Sequence, residues 1–336
     1  MDIIVSHQSA LEYWRKHGDL KIAGLGGQRR KSLPVSIPKS AVIRDGAPAG
    51  LSCPICLMVG GRGYRKSNTV WTRMYNGPIP NWSFVEIGDG LTVCAPPLCF
   101  FQMAGELPLI KLIELGFELC GSYSLATGLG QAQAPADEPE TAPKSALADV
   151  DRNIYGHARM TSVKALKAYI AHMEGVSGYK NASRALQYIV DGSASPMETI
   201  LVMFLTLPHM LGGYGLPAPE LNWRIDTGSV GKRGLSKPYY VCDLFWPQAN
   251  LAVEYDSDFY HTGADRIASD STRRNALSAL GIFPLTVTSR QLQNANEFAN
   301  VAEQIAKRLG KRLRYDGRQF SIARRELRKV LLPYIN

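Results

Sequence analysis

Long apolar runs are missing from this chain. Across 336 residues nothing approaches the ~18 consecutive apolar positions a bilayer-spanning helix needs. The longest stretch, residues 200–207, ends at Pro208 and reads as a buried helix. A basic leader is missing too: M-D-I-I-V-S-H-Q-S-A has an acidic second residue, so no secretory signal is expected and the expected setting is cytoplasmic. Cysteine is scarce, with six residues at this length, which excludes a disulfide framework. Cys53 and Cys56 form C-P-I-C, with Cys94 and Cys99 downstream. Their flanks read as buried strand and the second pair is widely spaced, so these cysteines are expected to be core residues rather than zinc ligands.

What remains is a soluble, globular composition, 45% hydrophobic and 20% charged, with room for two domains of ordinary size. Net charge is +9, and its distribution is uneven. Between Lys307 and Lys329 lie ten Lys or Arg against Asp316 and Glu326, or +8 in one segment. Such a concentration is the electrostatic footprint of a phosphate-backbone binder. Lys307, Lys311, Arg312, Arg314 and Arg318 are therefore candidate nucleic-acid contacts, together with Arg273 and Arg274 further upstream.

In chain order, residues 6–17 predict a helix with a Ser cap, and residues 24–32 a basic glycine loop lacking Walker spacing. Strand-like segments follow at 33–37, 53–59, 69–74, 83–87 and 91–94, and one amphipathic helix over 97–117. Residues 131–150 are rich in Ala, Pro and acids and read as a linker. The expected organisation is an α+β recognition or regulatory domain over 1–130, the linker 131–150, a helical connector over 151–190, a catalytic domain over 191–310 and a basic extension over 311–336. Within 191–310 the order is helix, three strands, helix, strand, helix. The fold class is therefore α/β, with a mixed sheet of about four strands flanked by helices.

The segment 241–261, V-C-D-L-F-W-P-Q-A-N-L-A-V-E-Y-D-S-D-F-Y-H, carries the chemistry. Two β-prone runs flank the turn residues 247–250. Pairing Trp246 with Leu251 sets Asp243 opposite Glu254, where like charges at roughly 5 Å repel. A divalent cation between them would remove that repulsion. Asp256 lies two residues along the same strand and so on the same face as Glu254. His261 is a candidate general base or leaving-group acid. Upstream, Ser195, Pro196 and Glu198 spell a helix start, so Glu198 has a capping role as well as a catalytic candidacy.

With Glu198, Asp243, Glu254, Asp256, His261 and the Asp270/Arg273 pair in this order, the chain resembles the PD-(D/E)XK nuclease superfamily, and more narrowly its Vsr-like endonuclease branch. The resemblance implies a restriction-endonuclease-like core and hydrolysis of DNA phosphodiesters. Asp243 and Glu254 would hold Mg²⁺, with Mn²⁺ as a substitute. Asp256 stands where the superfamily's usual motif has Lys, which moves proton transfer toward His261. In the N-terminal half, residues 91–104 and 112–121 are similar to proteins related to the AbiEi antitoxin family. That likeness implies DNA binding or phage defence and a protein partner or antitoxin. The alternatives to a DNA endonuclease are a catalytically silent DNA-binding regulator and an RNase acting on RNA with the same site.

Overall fold

A computed structural model describes residues 3–18, 32–35, 51–61, 65–88, 91–126, 153–227, 237–256, 264–313 and 317–332, the side chains of 264–270 excepted. The expected linker 131–150, most of the loop 24–32, His261 and Arg314 lie outside the described residues. The chain divides into two compact units, Met1–Gln187 and Tyr188–Asn336.

In the first unit, β1 (Ile3–Val5) is the middle strand of five. It runs parallel to β5 (Leu91–Cys94) and antiparallel to β2 (Ile55–Val59). Outside these lie β3 (Val70–Met74), parallel to β2, and β4 (Phe84–Gly88), antiparallel to β5. A three-residue strand holds this position because Ile3, Ile4 and Val5 are β-prone and all buried. The helix α1 (His7–His17) follows, though the Ser6 side chain makes no capping hydrogen bond and meets His7 Nδ1 at 3.0 Å instead. Trp14 is fully buried on α1, and its indole N–H donates to the Cys94 carbonyl at 2.8 Å.

Three expectations change here. Residues 33–35 form no strand, and Val35 is exposed. The single helix over 97–117 is two, α2 (Pro96–Met103) and α3 (Leu109–Leu119), because Pro108 cannot continue a helix and caps the second one. The helical connector packs within the first unit: beyond a small two-stranded pairing of β6 (Tyr123–Ser124) with β7 (Ile154–Tyr155), helices α4 (Val163–Ile170) and α5 (Tyr179–Ala185) lie against its core. The Tyr169 hydroxyl meets Ser83 Oγ at 2.8 Å, and the Asn181 amide donates to the carbonyls of Ala104 and Leu107. Of the four cysteines expected in the core, Cys56, Cys94 and Cys99 are buried there, whereas Cys53 is exposed.

The second unit opens on α6 (Pro196–Thr206) and builds a four-stranded sheet. β8 (Glu220–Asp226), β9 (Tyr239–Trp246) and β10 (Leu251–Asp256) form an antiparallel meander. α7 (Ala264–Ala279) then crosses over, so that β11 (Phe283–Thr288) runs parallel to β10. The expected element order is present. Both sheet faces are covered. Tyr240, Cys242, Phe245 and Ala252 pack with Ala276 and Leu277 of α7, while Leu244, Leu251 and Val253 are also buried and α6 touches β9 and β10.

The chain continues through α8 (Ser289–Gln293) and α9 (Ala295–Arg308) to α10 (Arg318–Leu331). The basic extension is thus a packed helix. Phe320, Leu327 and Leu331 are buried, at spacings of one helix face. α10 rests on the turn His209–Leu211 and its following glycines. Gly212 sits at φ +89, and a Cβ there would lie 2.4 Å from the Ala323 carbonyl oxygen. Only glycine both adopts this φ without strain and lets the helix approach so closely.

Candidate active site

The hairpin that carries the carboxylates has the register expected from its turn. Leu251 pairs with Trp246 and Val253 with Leu244, around a turn ending at Asn250 in the left-handed region, φ 45. One step further the ladder stops. On the other side, β8 pairs Leu221 with Leu244 and Trp223 with Cys242, passing over Asn222 and Asp243. Asn222 also lies in the left-handed region, φ 48, which Asn tolerates better than most residues. Strict alternation would put residues 242 and 245 on opposite faces, yet Cys242 and Phe245 share one cluster with α7. The alternation slips at Asp243. That position is consequently not a regular ladder pair with Glu254: Asp243 Oδ2 accepts the Tyr255 backbone N–H at 2.8 Å.

The slip sets three carboxylates against one another. Burial above all, then repulsion from Glu254 and from Glu198, pushes the Asp243 carboxyl up to about 7, although the Tyr255 N–H and the charge of Arg273 act in the other direction. Glu198 is also raised, first by burial, with Glu254 contributing. Glu254 has a counter-ion. Arg273 Nη2, from α7, lies 2.8 and 2.7 Å from its two oxygens and also donates to the Val241 carbonyl. The pair is partly exposed, with 32% and 21% of the Arg273 and Glu254 side chains accessible.

Glu198 is the third residue of α6 and serves its cap. Ser195 Oγ accepts the Glu198 N–H at 3.1 Å and donates to Glu198 Oε1 at 3.0 Å, while the Ala194 N–H donates to Oε2 at 2.9 Å. The sequence reading missed Asn222. Its Nδ2 donates to Glu198 Oε2 at 2.8 Å and to the Gly192 carbonyl at 3.0 Å, tying β8 to the start of α6 beside the carboxylates. Asn222 stands in a polar-apolar alternation that marked it only as strand.

Asp256 ends β10 opposite Thr288 of β11, whose side chain forms a capping box with Gln291. Arg274 is exposed on α7. The remaining described basic candidates lie further along the chain. Lys311 and Arg312 line a cavity of about 470 Å³ with Pro208, Met210 and Tyr214, Arg318 lines another of about 690 Å³, and Lys307 is exposed in the last turn of α9.

Among the described residues, no group of three or more His, Cys, Asp or Glu is gathered as metal ligands. Two carboxylates are nonetheless within the requirement of Mg²⁺, which keeps several waters and takes one or two carboxylates together with substrate phosphate. Burial is the first cause of the rise at Asp243, and the repulsion from Glu254 and Glu198 that adds to it is what such a cation would compensate. Glu254 retains lone pairs beyond those Arg273 uses, since an ionised carboxylate accepts about four hydrogen bonds.

No family model matches the chain, and no solved structure matches it. A 129-residue segment is 31% identical to a protein of Mycobacterium tuberculosis, called uncharacterized protein Rv2248 in strain H37Rv and MT2308 in strain CDC 1551. The match covers 37% of this chain and 42% of the relative, less than half of either. The similarity is partial, and the relatives' names carry no activity.

Proposed function

We propose that the second unit is a metal-dependent endonuclease hydrolysing DNA phosphodiesters, of the PD-(D/E)XK type and Vsr-like. The observation that carries this reading is the convergence of Asp243, Glu254 and Glu198 at the one place where the central ladders break, with Asp243 raised to about 7. Keeping like charges together in a half-buried site is costly, and such arrangements concentrate at functional centres. Asp243 and Glu254 would hold Mg²⁺ or Mn²⁺. When bound, the metal polarises the scissile phosphate and acidifies a water. Glu198 fixes the start of α6 and adds negative potential near the pair, Asn222 orients Glu198, and Arg273 balances Glu254. His261, the candidate for proton transfer, lies outside the described residues. A phage-defence or toxin role belongs to the same proposal, through the AbiEi-like likeness of the first unit.

The test is nicking of supercoiled plasmid with Mg²⁺ or Mn²⁺ beside Asp243→Asn. Loss of a metal ligand worth several kcal/mol lowers the rate by about 100-fold or more. Equal nicking by the variant, or none by the wild type with either metal, sinks the proposal. One observation favours a catalytically silent DNA-binding regulator instead: Arg273 already neutralises Glu254 from both oxygens. In that reading Arg273 takes the place a cation has in an enzyme, and calorimetry finds no Mg²⁺ binding by the wild type.

A further inference from the structure

We propose that the cleft between α10 and the start of α9 holds the phosphodiester backbone of a nucleic acid. The cavity is about 690 Å³, and Arg318, Arg324, Arg325, Arg328 and Lys329 all line it, with no carboxylate in the lining. Gln293 and Ala295, on either side of the Asn294 cap of α9, line it too. Five cations around one cavity repel one another. Arg328 is harder to keep charged than a free arginine, first through burial and then through Arg324. A fold that merely needed a solvated helix face would not turn these residues toward a shared hollow.

The cluster is held in place. Arg328 Nη2 donates to the Leu292 carbonyl at 2.7 Å and to that of Gln293, pinning α10 to the end of α8, and Arg324 donates to the Tyr214 hydroxyl at 3.2 Å. Arg318 and Arg325 are exposed and make no ion pair among the described residues, which leaves them available to an anion. Lys329 pairs with Glu326 at 3.1 Å, across an exposed contact that competes weakly with phosphate.

The spacing favours a repeating polyanion. From Arg318 to Lys329 an α-helix rises about 16 Å, and along a duplex axis one strand presents a phosphate about every 3.4 Å, or about five over that length. An acidic polypeptide has no such obligatory repeat. This site is separate in its residues from the carboxylates, and binding there does not depend on whether the chain cleaves what it binds.

The test is anisotropy of a labelled DNA duplex with the full chain in EDTA, so that no cleavage intervenes, over a salt series. If all five cations meet phosphates, affinity falls about 500-fold from 50 to 200 mM salt. The double variant Arg318→Gln/Arg325→Gln should fall only about 40-fold over the same range, having lost about two contacts. Lys164→Gln/Lys167→Gln, the same charge loss on the exposed face of α4, should keep the wild-type slope. An unchanged slope in the Arg variant, an equal change in the Lys control, absence of binding, or displacement of the duplex by poly-glutamate at equal charge would each overturn the proposal. Binding without nicking refutes only the endonuclease, and nicking with an unchanged slope in the Arg variant refutes only this cleft.

Discussion

Replacing Asp243 by Asn should stabilise the protein at alkaline pH while removing the nicking activity proposed for it. The folded carboxyl holds its proton up to about 7, against 3.8 for the free group. Between those values the native state binds more protons than the unfolded chain, so stability falls as pH rises through that window. Below about pH 3 both states are protonated and the group contributes nothing. At 1.36 kcal/mol per pH unit the full gap corresponds to about 4 kcal/mol above pH 8. Asp243 keeps some solvent contact, which screens part of the repulsion, and we expect about 2–3 kcal/mol. Asn keeps the hydrogen bond from the Tyr255 N–H, since its amide oxygen also accepts. The variant loses only the charge. Metal-free urea unfolding at pH 5, 6, 7 and 8 should show the advantage of the variant growing with pH, and millimolar Mg²⁺ should narrow it by stabilising the wild type. A variant no more stable than wild type at pH 8, or an advantage independent of pH, refutes the reasoning.

Other consequences follow from the same geometry. Glu198→Gln keeps a side chain able to accept from Ala194 and Asn222, so melting should change by less than about 1 kcal/mol, whereas Glu198→Ala should cost about 1–2 kcal/mol through the lost cap; equal losses in the two would contradict the capping role. Arg273→Ala leaves Glu254 without its counter-ion and should cost about 1–3 kcal/mol at pH 8 in metal-free buffer, read by urea unfolding, with much of the loss recovered in Asp243→Asn/Arg273→Ala. Gly212→Ala drives a Cβ to 2.4 Å from the Ala323 oxygen at an unfavourable φ; it should lower stability by more than about 1 kcal/mol and weaken duplex binding through displacement of α10. Trp14→Ala should cost about 3–5 kcal/mol in the first unit and leave the nicking proposed for the second unit unchanged per folded molecule.

Where local rules decide, the sequence was legible. The turn at 247–250 sets the β9–β10 register, and the Trp246–Leu251 pair follows from it. α6 was announced by its Ser-Pro-x-Glu start, and α7 and β11 by their periodicity and by Gly281. Where a tertiary neighbour decides, the sequence was silent. β1 is three residues long, and its central place comes only from pairing with strands more than fifty residues away. The C-terminal extension read as charge alone, because ten cations mask the 320–327–331 apolar stripe that buries α10. Pro108 was visible as a breaker, and the apolar spacing around it overrode the signal.

The site itself divides in the same way. That Asp243 and Glu254 lie near each other was readable from strand alternation; that the ladder slips at Asp243 was not, because it needs Asn222 in a left-handed conformation on one side and the Tyr255 N–H on the other. The slip matters energetically. In a regular ladder Asp243 would simply face Glu254, with Arg273 able to serve both. With the slip, Arg273 spends its Nη2 on Glu254 and the Val241 carbonyl, and among the described residues Asp243 has the Tyr255 N–H and the more distant charge of Arg273 against the charges of two glutamates. A purely structural ion pair has no reason to leave one acid in that state, since an apolar or amide side chain at position 243 would relieve it. Retaining the acid is consistent with a cation that arrives separately, and the pH-dependent gain of Asp243→Asn measures what the fold gives up while that cation is absent.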